Sequence, residues 1–230
     1  MRTGIVVFLS LVGVLIGYIL WSKSFALNLP KEVVVNEKKC SSNIKVAFVI
    51  APLNFRDEEF FVPYDYFRKH GICSNVYSLA TECVGMLGMR VKNVWSVRRL
   101  IESLRRHKYT LVYFAGGSGI LNVYKNPDYL EVAKLALSNS YAVAAICLAP
   151  MIIAETGQVS GKKLKVFACS PSLDLFKEKK VEYAGEGVGK TKLSNTILYT
   201  ASGPKWAEKF ARLLYEEVLK PMVSTGKKGR

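Results

Sequence analysis

Residues 141–155 read Tyr-Ala-Val-Ala-Ala-Ile-Cys-Leu-Ala-Pro-Met-Ile-Ile-Ala-Glu, and this stretch decides the fold. Residues 142–146 carry no charge and little bulk, which is typical of a strand buried on both faces of a parallel sheet. Cys147 follows directly, and Pro150 stands where the first turn of a helix tolerates a missing N–H group. The stretch therefore predicts a strand, a sharp turn that carries Cys147, and a helix that stops at Gly157.

Two interpretations of Cys147 fit this pattern. In a nucleophile elbow, the turn lifts the thiol out of the sheet, and the N-terminus of the helix favours the thiolate over the thiol. A cysteine without a chemical role, buried where a strand meets a helix, is the commoner arrangement in proteins. The residues of this stretch alone do not separate the two.

The rest of the chain predicts alternating strands and helices. Strands are expected at 45–50, 74–80, 109–114, 165–168, 180–183 and 196–200, and helices at 57–70, 94–107, 128–138, 172–177 and 205–219. Residues 81–93 are expected to be irregular because Gly85 and Gly88 interrupt any helix. This order predicts a doubly wound, mostly parallel sheet sandwiched by helices, whose sites lie beyond the carboxyl ends of the strands.

Three loops are expected to meet at that edge of the sheet. They are the loop over residues 51–59, the pair Gly116 and Gly117, and the turn at Cys147. The backbone N–H groups of Gly117 and Leu148 would then be placed to donate to an oxyanion. An ordinary tight turn is the alternative interpretation of the glycine pair.

The N-terminus predicts a membrane segment. Residues 5–21 are an uncharged apolar run about as long as the shortest helices that span a bilayer. We expect one uncleaved transmembrane helix, with a signal peptide as the alternative, and the lysines that follow favour a single-pass protein with a cytoplasmic domain. The expected organisation is an anchor at 1–22, a tether at 23–44, an α/β domain at 45–219 and a basic tail at 220–230.

Charge and cysteine content exclude several classes of protein. The net charge of +15 is spread along the chain, which suits a domain close to an anionic leaflet, whereas nucleic-acid binding would require basic residues interleaved with aromatic ones. Five cysteines without a C-x-x-C pair predict reduced thiols and no metal site. The glycine-rich stretch 184–191 resembles a phosphate loop, but residues 192–198 lead towards a strand, so a hairpin is expected there.

Taken together, these residues resemble the PfpI/ThiJ superfamily, which has the flavodoxin-like fold of class I glutamine amidotransferases. The resemblance covers residues 45–219 and is carried by the stretches 45–51, 57–63, 67–71, 116–117, 144–150 and 201–204. It implies that Glu59, four residues before Pro63, touches the sulfur of Cys147. Because two adjacent anions raise each other's pKa, the Glu59 carboxyl would be protonated or share a proton with the thiol. The alternative for Glu59 is a solvated residue in an acidic first turn, and Glu58 beside it is the better candidate for that role.

Some residues of this chain differ from the family pattern, and these differences limit the functions that the resemblance implies. Peptidase-like members carry histidine after the cysteine, where this chain has Leu148, and the two histidines, His70 and His107, are expected at helix ends far from Cys147. The resemblance therefore implies a reactive cysteine that acts on small carbonyl or thiol compounds or senses redox state, rather than a cysteine peptidase. The alternative is a non-catalytic, membrane-tethered binding or assembly module of the same fold.

Further expectations concern partners. Cys169, expected at the end of the strand 165–168, is a candidate redox partner of Cys147, with an inert core cysteine as the alternative. No cofactor is expected. The resemblance implies a homodimer or larger homo-oligomer, and the small-molecule substrate is left open.

Overall fold

The computed structural model describes residues 29–35, 44–106 and 109–226. The short apolar strands of the sequence form β1 to β13 as follows: β1 (Glu32–Val34), β2 (Val46–Val49), β3 (Leu53–Phe55), β4 (Ser74–Ser78), β5 (Glu82–Gly85), β6 (Arg90–Lys92), β7 (Trp95–Ser96), β8 (Tyr109–Phe114), β9 (Ser140–Ile146), β10 (Lys163–Leu164), β11 (Glu182–Tyr183), β12 (Val188–Lys192) and β13 (Ile197–Ala201).

The helices follow the amphipathic stretches. They are α1 (Asp57–Lys69), α2 (Val97–Arg106), α3 (Ile120–Val123), α4 (Pro127–Asn139), α5 (Pro150–Glu155), α6 (Ser170–Glu178), α7 (Ala207–Leu214) and α8 (Lys220–Gly226). A π-helical segment, Tyr215–Leu219, joins α7 to α8. Within residues 29–35, 44–106 and 109–226, no helix combines the length and the apolar character needed to cross a bilayer. The predicted anchor at 5–21 lies outside these residues.

The main sheet confirms the mixed α/β, flavodoxin-like prediction. In the described part of the chain it has seven strands in the order β12-β13-β9-β8-β2-β4-β7, and all pairs are parallel except β12 with β13. The central strands β2, β8 and β9 are almost entirely buried. Helix α1 packs against α7, while α2 packs against α4, α4 against α5 and α5 against α6. The parallel order directs the ends of β2, β8 and β9 to one edge, where the candidate site lies.

A second sheet includes residues 81–93, which the sequence predicted to be irregular. Its four strands in the described ranges have the order β1-β6-β5-β3, and β5 and β6 form an antiparallel hairpin. The expectation of irregular structure at 81–93 is therefore wrong. Part of the predicted tether is also ordered in this sheet, since β1 runs parallel to β6 from Glu32 to Val34.

Two further predictions are decided by backbone pairing. The glycine-rich stretch 184–191 is a hairpin as expected, because β12 pairs antiparallel with β13. The predicted strand at 165–168 is wrong, since only Lys163 and Leu164 form a strand, β10, and it pairs with β11 outside the main sheet. Beyond β10, the Lys165 N–H donates to the side-chain oxygen of Thr200 at 2.9 Å and not to a strand backbone.

Candidate functional site

The turn after β9 has the strained backbone of a nucleophile elbow. Cys147 has a φ of 61°, in the left-handed region that costs an L-residue about 1–2 kcal/mol. Two backbone hydrogen bonds hold it there: its N–H donates to the Ala201 carbonyl, and its carbonyl accepts from the Phe167 N–H, both at 2.8 Å. The predicted strand, turn and helix are confirmed, although α5 has only six residues. Cys147 is 7% exposed.

The glycine pair lies against this turn as predicted. A Cβ atom added to Gly116 would lie 2.5 Å from Oε2 of Glu59 and 2.6 Å from Cβ of Cys147, so only glycine lets the three residues meet. Gly117 has a φ of 106° and its backbone passes close to that of Arg56. The N–H groups of Gly117 and Leu148 lie close enough to the Cys147 sulfur to lower the pKa of its thiol. The structure thus brings together both predicted backbone donors and the cysteine.

Glu59 is the buried acid of the site. It lies in the first turn of α1 and has no exposed surface, and within the described residues neither carboxyl oxygen makes a regular hydrogen bond. The carboxyl lies against the Cys147 thiol and the Gly116 N–H. Tyr113 fixes the backbone, because its hydroxyl donates to the Glu59 carbonyl at 2.8 Å. The contact expected between Glu59 and Cys147 is therefore present in the structure.

The two ionisable groups of this pair shift each other. Burial raises the pKa of Glu59 to about 8, against the opposing effects of Cys147 and Arg56. Burial also raises the pKa of Cys147 well above its usual range, and a charged Glu59 raises it further, while the N–H groups of Gly117 and Leu148 lower it. Burial of two adjacent acidic groups raises their pKa values more than the backbone N–H groups lower them. The pair therefore holds at least one proton at neutral pH and shares it between oxygen and sulfur.

Two charged residues at the start of α1 were not predicted to belong to the site. Arg56 precedes the helix and its side chain forms an ion pair with Glu58, Nε to Oε2 at 2.7 Å and Nη2 to Oε1 at 2.9 Å. Glu58 is buried, so the interpretation of Glu58 as a solvated residue is wrong. The charge of Arg56 acts on both Glu59 and Cys147. The only sequence signal was a basic residue directly before three acidic ones.

Cys169 has a local structural role. It precedes α6 in an irregular segment, and its sulfur lies 3.6 Å from the hydroxyl of Ser172 in a capping arrangement. Cys83, Cys147 and Cys169 are free thiols, whereas Cys73 is disulfide-bonded, so the expectation of reduced cysteines is wrong at Cys73. The strand that was to carry Cys169 towards Cys147 is absent from residues 165–168.

The described histidine lies away from the site. His70 ends α1, where its Nδ1 contacts the Tyr66 carbonyl at 2.8 Å and its ring packs against Tyr66 and Tyr215. His107 lies outside the described residues. In the described ranges, no cluster of three or more histidine, cysteine or acidic residues is arranged to hold a metal ion.

Comparison with known proteins identifies the family. The sequence profile of the DJ-1/PfpI family matches residues 44–217. The chain belongs to the DJ-1/PfpI family. It is 34% identical over 188 residues to the uncharacterised protein MJ0967 of Methanocaldococcus jannaschii, covering 80% of this chain and 86% of that protein. It is 28% identical over 179 residues to protein dj-1beta of Drosophila melanogaster, covering 76% and 89%.

Solved structures of the DJ-1/PfpI family share the fold. The crystal structure of Drosophila DJ-1beta has a TM-score of 0.60 at 26% identity, covering 81% of this chain and 97% of that one. A ThiJ/PfpI domain protein from Brachyspira murdochii has a TM-score of 0.65 at 22% identity, covering 76% and 96%. The predicted relationship to this superfamily and its amidotransferase-like fold is thereby confirmed.

Proposed function

We propose that this DJ-1/PfpI protein uses Cys147 as a nucleophile towards small carbonyl compounds. Glu59 is the acid that shares its proton with the sulfur, and the N–H groups of Gly117 and Leu148 stabilise the developing negative charge. One observation carries the proposal: a fully buried carboxyl without a regular hydrogen bond faces the sulfur of a cysteine in a strained turn.

The proposed chemistry begins with a single negative charge on the pair. That charge is placed on sulfur, because the N–H groups of Gly117 and Leu148 both favour the thiolate, whereas Gly116 alone supplies a backbone N–H group to Glu59. The thiolate of Cys147 adds to the carbonyl carbon, forming the C–S bond as the electron pair of the C=O π bond moves to oxygen. Glu59 then transfers its proton to that oxygen, giving a hemithioacetal and a carboxylate.

The energetics favour a chemical role over a relic. A positive φ at a residue other than glycine costs on the order of 1–3 kcal/mol, and a buried polar group without a partner costs a similar amount. Both costs fall on adjacent residues of one site, Cys147 and Glu59. If the fold served only as a scaffold, Cys147 and Glu59 could be replaced by other residues without loss of stability or shape.

The alternative is a non-catalytic binding or assembly module of the same fold. The observation in its favour is the low exposure of Cys147 together with the raised pKa of its thiol. In that case the thiol is inert and the site is a remnant. The two functions differ in whether Cys147 forms adducts at neutral pH.

Oxidation of the same thiolate is the redox form of the proposal. Peroxide would convert the Cys147 thiolate to a sulfenate and release water or hydroxide, and a thiol could then form a disulfide with it. Cys169 remains the candidate resolving thiol. Its contact with Ser172 would have to break first.

Glyoxal, a small dicarbonyl compound, tests the main proposal. We expect wild-type protein to consume glyoxal and to carry a mass adduct on the peptide that contains Cys147, and the Cys147→Ser variant to lose both. The matched control is Cys169→Ser, which removes a free thiol outside the site and retains the activity. Wild-type protein that forms no adduct and consumes no glyoxal would support the non-catalytic module.

We also propose that residues 5–21 anchor the domain to a membrane, as a single-pass protein with a cytoplasmic domain, and that the domain forms a homo-oligomer. The apolar run and the basic residues around it support the anchor. The family resemblance supports the homo-oligomer. In alkaline carbonate extraction, the full chain should stay in the membrane pellet, while a chain that lacks residues 1–22 should be released. A full chain found in the supernatant would contradict the anchor.

A further inference from the structure

Arg56 places a cation beside the proposed nucleophile. Its backbone N–H donates to the Gly116 carbonyl at 2.9 Å, and Gly116 contacts both Glu59 and Cys147. The side chain is 25% exposed, and the backbone of Arg56 stands at the same edge of the sheet as Gly116 and Cys147. Its positive charge acts on Glu59 and on Cys147.

The guanidinium of Arg56 has hydrogen-bond donors to spare. An arginine side chain carries five N–H donors in a fixed planar arrangement. Within the described residues, its hydrogen bonds use only Nε and Nη2, both towards Glu58. The N–H groups on Nη1 therefore have no protein partner there, and a carboxylate is one of the small groups that such donors match well.

Glu58 fixes the direction of these free donors. The carboxylate of Glu58 is buried and holds one edge of the guanidinium at 2.7 and 2.9 Å. An arginine held in this way loses little conformational freedom when it binds a second anion on its other edge. Glu58 is thus a positioning residue, and Arg56 is the group that contacts the ligand.

We propose that Arg56 binds the carboxylate of the substrate, so that the compound attacked by Cys147 is a small carbonyl compound carrying a carboxylate. This inference rests on the proposed function, because it needs a reactive Cys147. The net charge of +15 further favours the approach of anions over that of cations.

The preference can be measured with two alkylating reagents of nearly equal size. Iodoacetate carries a carboxylate and iodoacetamide does not, and in both reactions the thiolate displaces iodide and forms a C–S bond. Because both reagents attack the same thiolate, the ratio of their rates cancels the fraction of ionised thiol. The rates are followed on the Cys147 peptide by mass spectrometry, and the ratio is divided by that of a neutral small thiol, N-acetylcysteinamide.

We expect the normalised ratio of iodoacetate to iodoacetamide to be about tenfold above unity in wild-type protein, the effect of one charge-assisted hydrogen bond. Arg56→Gln should bring it close to unity, and Arg56→Lys should give an intermediate value. Arg68→Gln is the matched control: it removes the same charge from the other end of α1, roughly 18 Å away along the helix, and should leave the ratio unchanged.

The outcomes separate the two proposals. A ratio that is the same in wild-type protein and Arg56→Gln, with Cys147 still alkylated, overturns the role of Arg56 and leaves the proposed nucleophile intact. Failure of both reagents to alkylate Cys147 in wild-type protein overturns the proposed function and this inference with it.

If Arg56→Gln does not fold, carboxylate binding at Arg56 can still be tested on wild-type protein. Propionate should slow the alkylation of wild-type Cys147 by iodoacetamide, whereas propionamide, its neutral counterpart, should not. Equal effects of the two compounds would contradict carboxylate binding at Arg56.

Discussion

The first turn of α1 carries two buried carboxyl groups that face different regions of the molecule. Asp57 faces the β5–β6 hairpin, where it accepts hydrogen bonds from the N–H groups of Leu87 and Met89 at 2.8 and 2.9 Å. Glu59, two residues later, faces the sulfur of Cys147 without a regular hydrogen bond in the described part of the chain. Both are fully buried.

The difference separates a structural carboxyl from a chemical one. Burial raises the pKa of both groups, but at Asp57 two backbone N–H donors oppose the shift and tie the helix to the second sheet. At Glu59 burial outweighs the opposing effects of Cys147, Arg56 and the single N–H group of Gly116, and the pKa reaches about 8. A carboxyl that is protonated at neutral pH can donate to sulfur, which an ionised carboxylate cannot do.

The largest expected effect is on how stability depends on pH. The pKa of Glu59 is about 8 in the folded protein and about 4.3 in an unfolded chain. Between these values the folded protein holds a proton that the unfolded chain has released, so the contribution of Glu59 to stability falls as pH rises through this window. In the Glu59→Gln variant this loss is absent.

Urea denaturation of the wild type and Glu59→Gln measures this effect directly. The free energy of unfolding of the variant, relative to wild type, should rise by about 4 kcal/mol from pH 5 to pH 8. Titration of Asp57 occurs in both proteins and cancels in the difference. A difference that stays constant with pH would show that Glu59 is ionised throughout.

The next effect concerns the partnered carboxyl. Asp57→Ala leaves the buried N–H group of Met89 and the half-buried N–H group of Leu87 without their acceptor and should lower the free energy of unfolding at pH 7 by about 3 kcal/mol. Urea denaturation again gives the value. The matched control is Asp65→Ala on the same helix, where Asp65 pairs with Arg68 and Lys69 at the surface, and the expected loss is below about 1 kcal/mol. Equal losses in the two variants would remove the structural role given to Asp57.

A smaller effect is expected at the glycine that separates the acid from the sulfur. In Gly116→Ala the new methyl group must displace Glu59, Cys147 and the Ile146 carbonyl, at a cost of about 2 kcal/mol, and alkylation of Cys147 should slow. Gly189→Ala is the control, because its methyl group would lie 3.4 Å from the flexible side chain of Lys165 and should change stability by less than about 1 kcal/mol. An unchanged alkylation rate in Gly116→Ala would show that the reactivity of Cys147 does not depend on its contact with Glu59.

Sequence patterns predicted the parts of the fold that depend on local composition. The uncharged run before Cys147 specifies β9, and the flanking proline and glycine fix α5, so the elbow followed from neighbouring residues. The hairpin of β5 and β6 was missed because its strands are short and its position depends on distant partners. Val84 donates to the Pro52 carbonyl, and Asp57 holds the turn.

The candidate site was predictable only in part for the same reason. Cys147, Gly117 and Leu148 follow from the order of strands and turns, and the position of Glu59 followed from the family resemblance. Arg56 and Glu58 carried only the weak signal of a basic residue before three acidic ones, since their role depends on the hydrogen bond from Arg56 to Gly116 and on an ion pair formed only in the folded protein. The expected strand at 165–168 failed because Phe167 pairs with Cys147 and Lys165 with a side chain.

The alkylation of Cys147 by iodoacetamide at pH 7, compared between wild-type protein and Glu59→Gln, tests the central claim most directly. A protonated Glu59 stabilises the thiolate by a charge-assisted hydrogen bond that glutamine matches only weakly, so wild-type protein should react about tenfold faster, while Asp65→Asn should react like the wild type. A faster reaction of Glu59→Gln would mean that Glu59 is an anion that suppresses the thiolate, and an equal rate would mean that Glu59 does not act on the thiolate; either result would contradict the shared proton on which the account depends.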